Sequence, residues 1–280
     1  MKIAISGATG FIGSHLTAYL EKKGHEVVPL GRADFAEERR DRLAYLVAEC
    51  DAVVNLAGAP IDRRWSPEYK EELLASRVET TRRLVDAVNR SERTRTFVSA
   101  SAVGCYPPVG CYDESSAERG SGFLARLCER WEAEARRVRV RCVITRFGVV
   151  LAGDGGAFAR LVRPTAWGLA VVPGGGSQPF SWIDIADLVR AELFLIQHDR
   201  LDGVFNFAAP ENTSLREFVR AVGRHRRARI TATVPAFAVR MALGERASAL
   251  LDGACAVPQR LQQAGFRFCS PSVSEFLRRL

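Results

Sequence analysis

The stretch Gly7-Ala8-Thr9-Gly10-Phe11-Ile12-Gly13 decides the fold. It follows a short β-type run, Lys2 to Ser6, and opens an amphipathic helical segment from Phe11 to Lys23. Glycines between a strand and a helix allow a tight turn and a close backbone approach to a pyrophosphate, whose charge then sits at the helix N-terminus. A bare glycine triplet is weak evidence, but a strand before it and a helix after it make it a dinucleotide-binding fingerprint. Gly7, Thr9, Gly10, Phe11, Ile12 and Gly13 are the first candidate contacts. The spacing is GxxGxxG rather than GxGxxG.

Outward from this turn, strand and helix patterns alternate, which calls for a parallel sheet. Strands are expected at 25–30, 51–56, 96–100 and 138–146, with helices at 67–89 and 121–137. The expected fold class is therefore α/β, a Rossmann-type doubly wound parallel sheet over residues 1–150. The second half, 151–280, is more irregular and reads as a smaller C-terminal substrate-side lobe. It carries glycine turns at 153–156 and 173–176, a helix at 185–197 and a strand at 204–208. Further helices are expected at 214–226, 236–251 and 272–280.

The end of the second strand bears on the choice of cofactor. An NAD-binding chain places Asp or Glu there against the adenine ribose hydroxyl, whereas this chain reads Leu30-Gly31-Arg32. A guanidinium suits a 2′-phosphate, so Gly31 and Arg32 point to NADP. Asp34, two residues later, would serve a ribose hydroxyl if the turn is long, and Arg32 also reads as a plain surface charge.

Composition sets the outer limits. The 280 residues are 47% hydrophobic, enough to bury a sizeable core without disulfide or metal. Seven cysteines without a C-x-x-C pair read as reduced, mostly buried thiols, and indicate no metal site. The chain runs from Met1 into a strand with no leader pattern, which suggests a cytoplasmic protein. No apolar stretch has the roughly 20 residues that a membrane span needs. The net charge of +8 comes almost wholly from arginine, since lysine occurs only at positions 2, 22, 23 and 70. The arginine clusters at 136–141 and 224–229 lack interleaved aromatics, so they read as solvated surface and no nucleic-acid partner is expected. A homodimer remains open.

The chain also resembles the YfcH-like atypical short-chain dehydrogenases, the "epimerase family protein" group related to the extended short-chain dehydrogenases. The resemblance runs nearly end to end. It rests on GATGFIG at 7–13, NLAG at 55–58, Arg64-Trp65, SRVETT at 76–81, SASAVGCY at 99–106, Phe123-Leu124 with Trp131-Glu132, RFGVVL at 146–151 and QPFSWI at 178–183. The tail PQRL at 258–261 with AGFRF at 264–268 resembles the group's C-terminal module, about 235–280. The resemblance implies that the turn at Leu56, Ala57 and Gly58 borders the cofactor, read above as NADP. It also implies that Arg77 stands in for an asparagine and that Val149 approaches the nicotinamide; Glu72, five residues before Arg77 and read as lying on nearly the same helix face, is a candidate acceptor for a ribose hydroxyl. Leu56, Ala57 and Val149 read equally as core, and Glu72 with Arg77 as a surface ion pair.

Extended short-chain dehydrogenases work with Ser, Tyr and Lys, in which tyrosinate exchanges the proton and lysine lowers its pKa. Ser101 occupies the serine place. Counting back from Glu132 puts Leu124 at the tyrosine position and Cys128 at the lysine position, and no lysine exists after Lys70. The sugar-nucleotide epimerases' diphosphate-binding arginine is replaced by Phe180, and their following histidine by Asp184. Tyr106 is the best remaining phenol, expected near an ordinary pKa for want of a neighbouring cation; Cys105 and Cys128 are weaker candidate acids. The substrate is expected to be an unknown small carbonyl or hydroxyl compound, handled by an NADP-dependent oxidoreductase or epimerase-like enzyme, with a non-catalytic redox sensor or partner-binding protein as the rival.

Overall fold

The computed structural model describes all 280 residues. In chain order the first half holds β1 (Lys2–Ser6), α1 (Phe11–Lys22), β2 (Glu26–Leu30), α2 (Arg40–Ala48), β3 (Ala52–Asn55), α3 (Pro67–Asn89), β4 (Thr96–Ala102), β5 (Cys111–Tyr112), α4 (Phe123–Ala135) and β6 (Arg141–Phe147). The second holds β7 (Val149–Ala152), α5 (Gly156–Val162), β8 (Leu169–Pro173), β9 (Trp182–Asp184), α6 (Ile185–Gln197), β10 (Gly203–Phe207), α7 (Leu215–His225), β11 (Ile230–Val234), α8 (Ala236–Leu243), α9 (Ser248–Leu251), β12 (Cys255–Ala256), α10 (Gln259–Gln263) and α11 (Val273–Arg278).

Six strands form one parallel sheet in the order β10-β6-β4-β3-β1-β2. Alternate residues of each strand feed opposite faces. Ile3, Ile5, Val98 and Val143 pack with α1 and α6, whereas Ala4, Val53, Phe97 and Ile144 pack with α2, α3 and α4. Burial on both faces explains why these strands read as near-continuous apolar runs. Pro29 is tolerated in β2 because that strand is an edge of the sheet.

The chain leaves β1 toward β2 on one side and returns to β3 on the other, so β1 and β3 flank the point where the winding reverses. Ligands of open α/β sheets bind at that point, beyond the carboxyl ends of the strands. A second core, around Phe158, Val172, Trp182, Phe218 and Phe276, joins α5, β8, β9, α7 and α11.

The expected boundary at residue 150 does not coincide with the sheet, because β10 is its outermost strand and α6 covers one face. Helix α2, whose charged sequence hides an apolar stripe of only Leu43 and Val47, lay outside the sequence expectation. The helix expected over 236–251 is broken at Gly244, which has a φ of +59°. Residues 138–140 lie outside any strand, and β6 starts only at Arg141. The expectation of reduced cysteines fails at one pair: β5 and β12 are register partners, and Cys111 and Cys255 are joined as a disulfide.

Candidate functional site

The turns after β1 and β3 touch. Gly7 has a φ of +73°, and a Cβ there would lie 3.0 Å from the Leu56 carbonyl, so only glycine permits the approach. Beneath the turns the Ser6 hydroxyl donates to Asn55 Oδ1 at 2.7 Å, Asn55 Nδ2 donates to Thr81 at 2.8 Å, and the Ala57 N–H donates to Ser6 Oγ at 3.3 Å. A Cβ on Gly13 would meet the Gly7 carbonyl oxygen at 2.1 Å, so α1 starts directly against the loop. Gly10 caps α1 without a side-chain hydrogen bond, and no acidic residue stands in the first turn. The Phe11, Ile12 and Gly13 N–H groups lack intrahelical partners at the positive end of the helix dipole, and Thr9 and Gly10 are exposed beside them. This donor set fits a pyrophosphate.

Past β2, Gly31 and Arg32 are exposed, and Arg32 makes no ion pair. Asp34 turns back. One of its oxygens accepts the Gly31 N–H at 2.9 Å and the other pairs with Arg42 at 3.0 Å. The carboxylate that would have served a ribose hydroxyl is engaged, while the guanidinium suited to a phosphate is free.

On the other side of the reversal point, Arg77 lies against Gly58, where a Cβ would stand 2.8 Å from its Cζ. Its guanidinium stacks over Trp131 at 5.3 Å and donates to the Leu73 carbonyl at 3.3 Å. Burial lowers its pKa from the usual arginine value. Glu72 is exposed, forms no hydrogen bond or ion pair, and does not share a face with Arg77. Five residues of α-helix turn about 500°, which leaves the two side chains about 140° apart; the surface ion pair is absent for the same reason. Leu56 and Ala57 are half-buried at the crevice, and Val149 opens β7, its N–H bonded to the Ser181 carbonyl at 2.8 Å.

The expected catalytic groups are held in a buried network that the sequence reading did not assemble. The Ser101 hydroxyl donates to Glu132 Oε1 at 2.7 Å. Glu132 also receives Arg146 Nε at 2.7 Å and Nη2 at 2.8 Å, and Arg146 Nη1 donates to the Tyr106 hydroxyl at 2.8 Å. Tyr106 donates in turn to Asn206 Oδ1 at 2.9 Å. Tyr106 therefore has the neighbouring cation that the sequence reading denied it. Burial still dominates and raises its pKa above the usual phenol value, with Arg146 opposing. The Tyr106 hydroxyl is fully engaged, accepting from Arg146 with Asn206 Oδ1 and the Asp113 carbonyl as its acceptors, so it serves as a structural tie. Burial pushes Cys105 up to about 12 and Cys128 up to about 11, so both are inert thiols. The available signal was a charge or amide inside a buried strand, Arg146 in β6 and Asn206 in β10, since such a group requires a partner. Leu124 and Cys128 do lie where a Tyr and Lys would face the end of β4, with Leu124 Cβ 3.5 Å from a Cβ built on Gly104 and Cys128 Sγ 3.7 Å from the Ala102 carbonyl.

The chain has known relatives. Residues 3–208 match the NAD dependent epimerase/dehydratase family, and residues 234–280 match a domain of unknown function, DUF1731. The chain belongs to the NAD dependent epimerase/dehydratase family. Within that family it is 37% identical to the chloroplastic epimerase family protein SDR39U1 homolog of Arabidopsis thaliana, over 99% of this chain and 86% of that protein. It is also 37% identical to the epimerase family protein ML0860 of Mycobacterium leprae, over 98% of this chain and 94% of that one. Among solved structures it is similar to human epimerase family protein SDR39U1 (isoform 2) with NADPH, at a TM-score of 0.90 and 32% identity, covering 100% of this chain and 98% of that one. A UDP-glucuronic acid 4-epimerase from Bacillus cereus shares the fold at a TM-score of 0.78 and 18% identity, with 99% of this chain and 97% of that one covered. No helix of this family member is long and apolar enough to cross a membrane.

Proposed function

We propose that the chain binds NADP(H) in the crevice between the β1 and β3 turns and acts as an oxidoreductase or epimerase-like enzyme on a small carbonyl or hydroxyl compound, in the cytoplasm. The observation that carries this reading is the pairing of free and engaged charges at the crevice: uncapped α1 amides and an unpaired Arg32, beside an Asp34 already held by Arg42 and Gly31. The relative solved with NADPH adds support.

In this reading Gly7, Thr9, Gly10, Phe11, Ile12 and Gly13 cradle the pyrophosphate, and Gly31 and Arg32 take the 2′-phosphate. Leu56, Ala57 and Gly58 wall the crevice, Arg77, packed on Gly58, reaches a ribose oxygen, and Val149 borders the nicotinamide, whereas Glu72 lies on another face of α3 and takes no part. Arg77 lies near Cys128, at the position where the family's lysine is missing, so it supplies the nearby positive charge. Bound NADP(H) provides or accepts a hydride.

Around the reacting centre the chain contributes shape more than proton transfer. Ser101 gives its proton to Glu132, so toward a ligand its oxygen acts as an acceptor, which suits a substrate hydroxyl better than a carbonyl. Leu124 and Cys128 offer no acid at neutral pH. The exchanging proton therefore comes from solvent or from the substrate itself. Phe180, 9% exposed and packed on Phe218, gives no cation for a nucleotide diphosphate, which favours substrates smaller than sugar nucleotides. The test is loss of NADPH absorbance with a panel of aldehydes and ketones, and its gain from NADP with the matching alcohols. Turnover that survives Tyr106→Phe and Cys128→Ala supports the reading; binding of NADPH with no hydride exchange across the panel removes the enzymatic half.

A further inference from the structure

We propose that Cys111–Cys255 is a reversible redox latch, which ties the loop carrying Tyr106 to the C-terminal module and so sets the order of the nicotinamide side of the crevice according to the surrounding thiol state. The inference rests on the proposed cofactor position for its functional consequence, but not for the latch itself.

The disulfide joins residues 144 apart in sequence and is the only covalent link between the β4–α4 connection and the 234–280 module. The Cys255 N–H donates to the Gly110 carbonyl at 3.2 Å and the Val257 N–H to Tyr112 at 2.8 Å, so the β5–β12 ribbon holds two residue pairs. Cys111 is exposed and Cys255 is buried. An incoming thiolate therefore reaches Sγ of Cys111, and Cys255 leaves as the thiolate. With a cellular dithiol as reductant, its first thiol forms a mixed disulfide with Cys111 and its second resolves that bond. Two electrons and two protons pass to the protein, which ends with two thiols, and the reductant ends as a disulfide.

Side chains in contact carry the state of the pair inward. Tyr112, adjacent to Cys111, stacks on Tyr106 with centroids 5.1 Å apart and rings 6° from parallel. Tyr106 bonds Arg146, Arg146 holds Glu132, and Glu132 holds Ser101 at the end of β4. Asn206 closes the circuit, since its Nδ2 donates to the Tyr112 carbonyl at 3.2 Å and the Val257 carbonyl at 3.0 Å while its Oδ1 accepts from Tyr106. Cutting the S–S bond leaves β12 tied to Ser181 and Glu114 tied to the Asn206 and Arg260 N–H groups, but removes the one covalent tie between β5 and β12, so that residues 103–120 gain freedom.

The experiment equilibrates the full chain across ratios of reduced to oxidised dithiothreitol, quenches with acid, alkylates, and locates the label by mass spectrometry. At each end of the series it measures NADPH affinity and amide exchange over 103–120. Positions 111 and 255 should gain label together in one reversible two-electron transition. The reduced chain should exchange faster over 103–120 and bind NADPH about fivefold or more weakly, a modest coupling by ordinary standards. Cys111→Ser should match the reduced state at every ratio, and Cys269→Ser should respond like the wild type. A pair that never oxidises, or that yields only on unfolding, overturns the latch, as does equal exchange with equal affinity in both states. If neither form binds NADPH, the cofactor reading falls, and the exchange difference alone then decides the latch: faster exchange on reduction sustains it and equal exchange ends it.

Discussion

Glu132 of α4 and Arg146 of β6 form a two-pronged ion pair, at 2.7 and 2.8 Å, with 4% and 0% of their side chains exposed. Removing one partner of such a pair strands a buried charge. Glu132→Ala should therefore lower unfolding free energy by about 3–5 kcal/mol. Urea denaturation measures it, and a loss below about 1 kcal/mol would mean that the pair is not closed in solution.

The same pair fixes the expectation for Ser101. Its hydroxyl completes the Glu132 oxygen that Arg146 Nε also holds, so Ser101→Ala should cost about 1 kcal/mol of stability, the net worth of one hydrogen bond. Tyr106→Phe removes the acceptor of Arg146 Nη1 and should cost more, about 1–3 kcal/mol. Turnover, where found, should fall in Ser101→Ala without change in NADPH affinity, and comparison of kcat/KM with calorimetric Kd separates the two.

A pH effect follows from Glu192 in α6. It is fully buried between the sheet and α6, and neither it nor the nearby Thr145 hydroxyl makes a well-formed hydrogen bond. Burial pushes its carboxyl up to about 8, opposed slightly by Thr145. The folded chain thus keeps a proton that the unfolded chain loses above the ordinary glutamate value of 4.5. The neutral acid's stabilising contribution is complete below the unfolded pKa and is lost as pH rises through the folded one. Between those limits the group subtracts up to about 1.4 kcal/mol per pH unit. Glu192→Gln should flatten the fall in urea midpoint between pH 5 and 8; an unchanged slope would show that the residue ionises freely in the native state.

The glycine loop gives two separable outcomes. Gly13→Ala places a methyl where the Gly7 carbonyl stands, so it should disrupt both loop and stability. Gly10 is exposed, and a Cβ there meets only Gly7 O at 3.2 Å. Gly10→Val should fold, judged by circular dichroism, yet lose NADPH binding because the side chain stands where the pyrophosphate must approach. Normal binding by Gly10→Val would reduce the loop to a turn.

The sheet and the glycine turn were readable because apolar period and turn chemistry act locally: Lys2–Ser6, Pro67–Asn89 and Ile185–Gln197 stand where the pattern put them. At the start of α3 the Ser66 side chain accepts the Tyr69 N–H at 3.2 Å and Pro67 takes the first helical position, both local devices. The network around Ser101 was not readable, because its members, at 101, 106, 132, 146 and 206, meet only through tertiary packing. Arginine richness concealed it further. The 136–141 run looked uniformly solvated, yet Arg141 donates to the Leu195 and Ile196 carbonyls at 3.0 Å each and closes the end of α6. Nor does spacing reveal that Cys111 and Cys255 adjoin, for the pairing depends on the return of the last segment across the loop after β4.

The central claim is the choice of cofactor, and calorimetric titration of NADPH and NADH into wild type and Arg32→Ala tests it most directly. An unpaired guanidinium beside an engaged Asp34 predicts that wild type prefers NADPH. Removing charge-assisted bonds worth about 1.5–3 kcal/mol should weaken NADPH by about 10- to 100-fold in Arg32→Ala and leave NADH nearly unchanged. Equal affinities for the two cofactors in wild type, or NADPH binding that Arg32→Ala does not weaken, would contradict it.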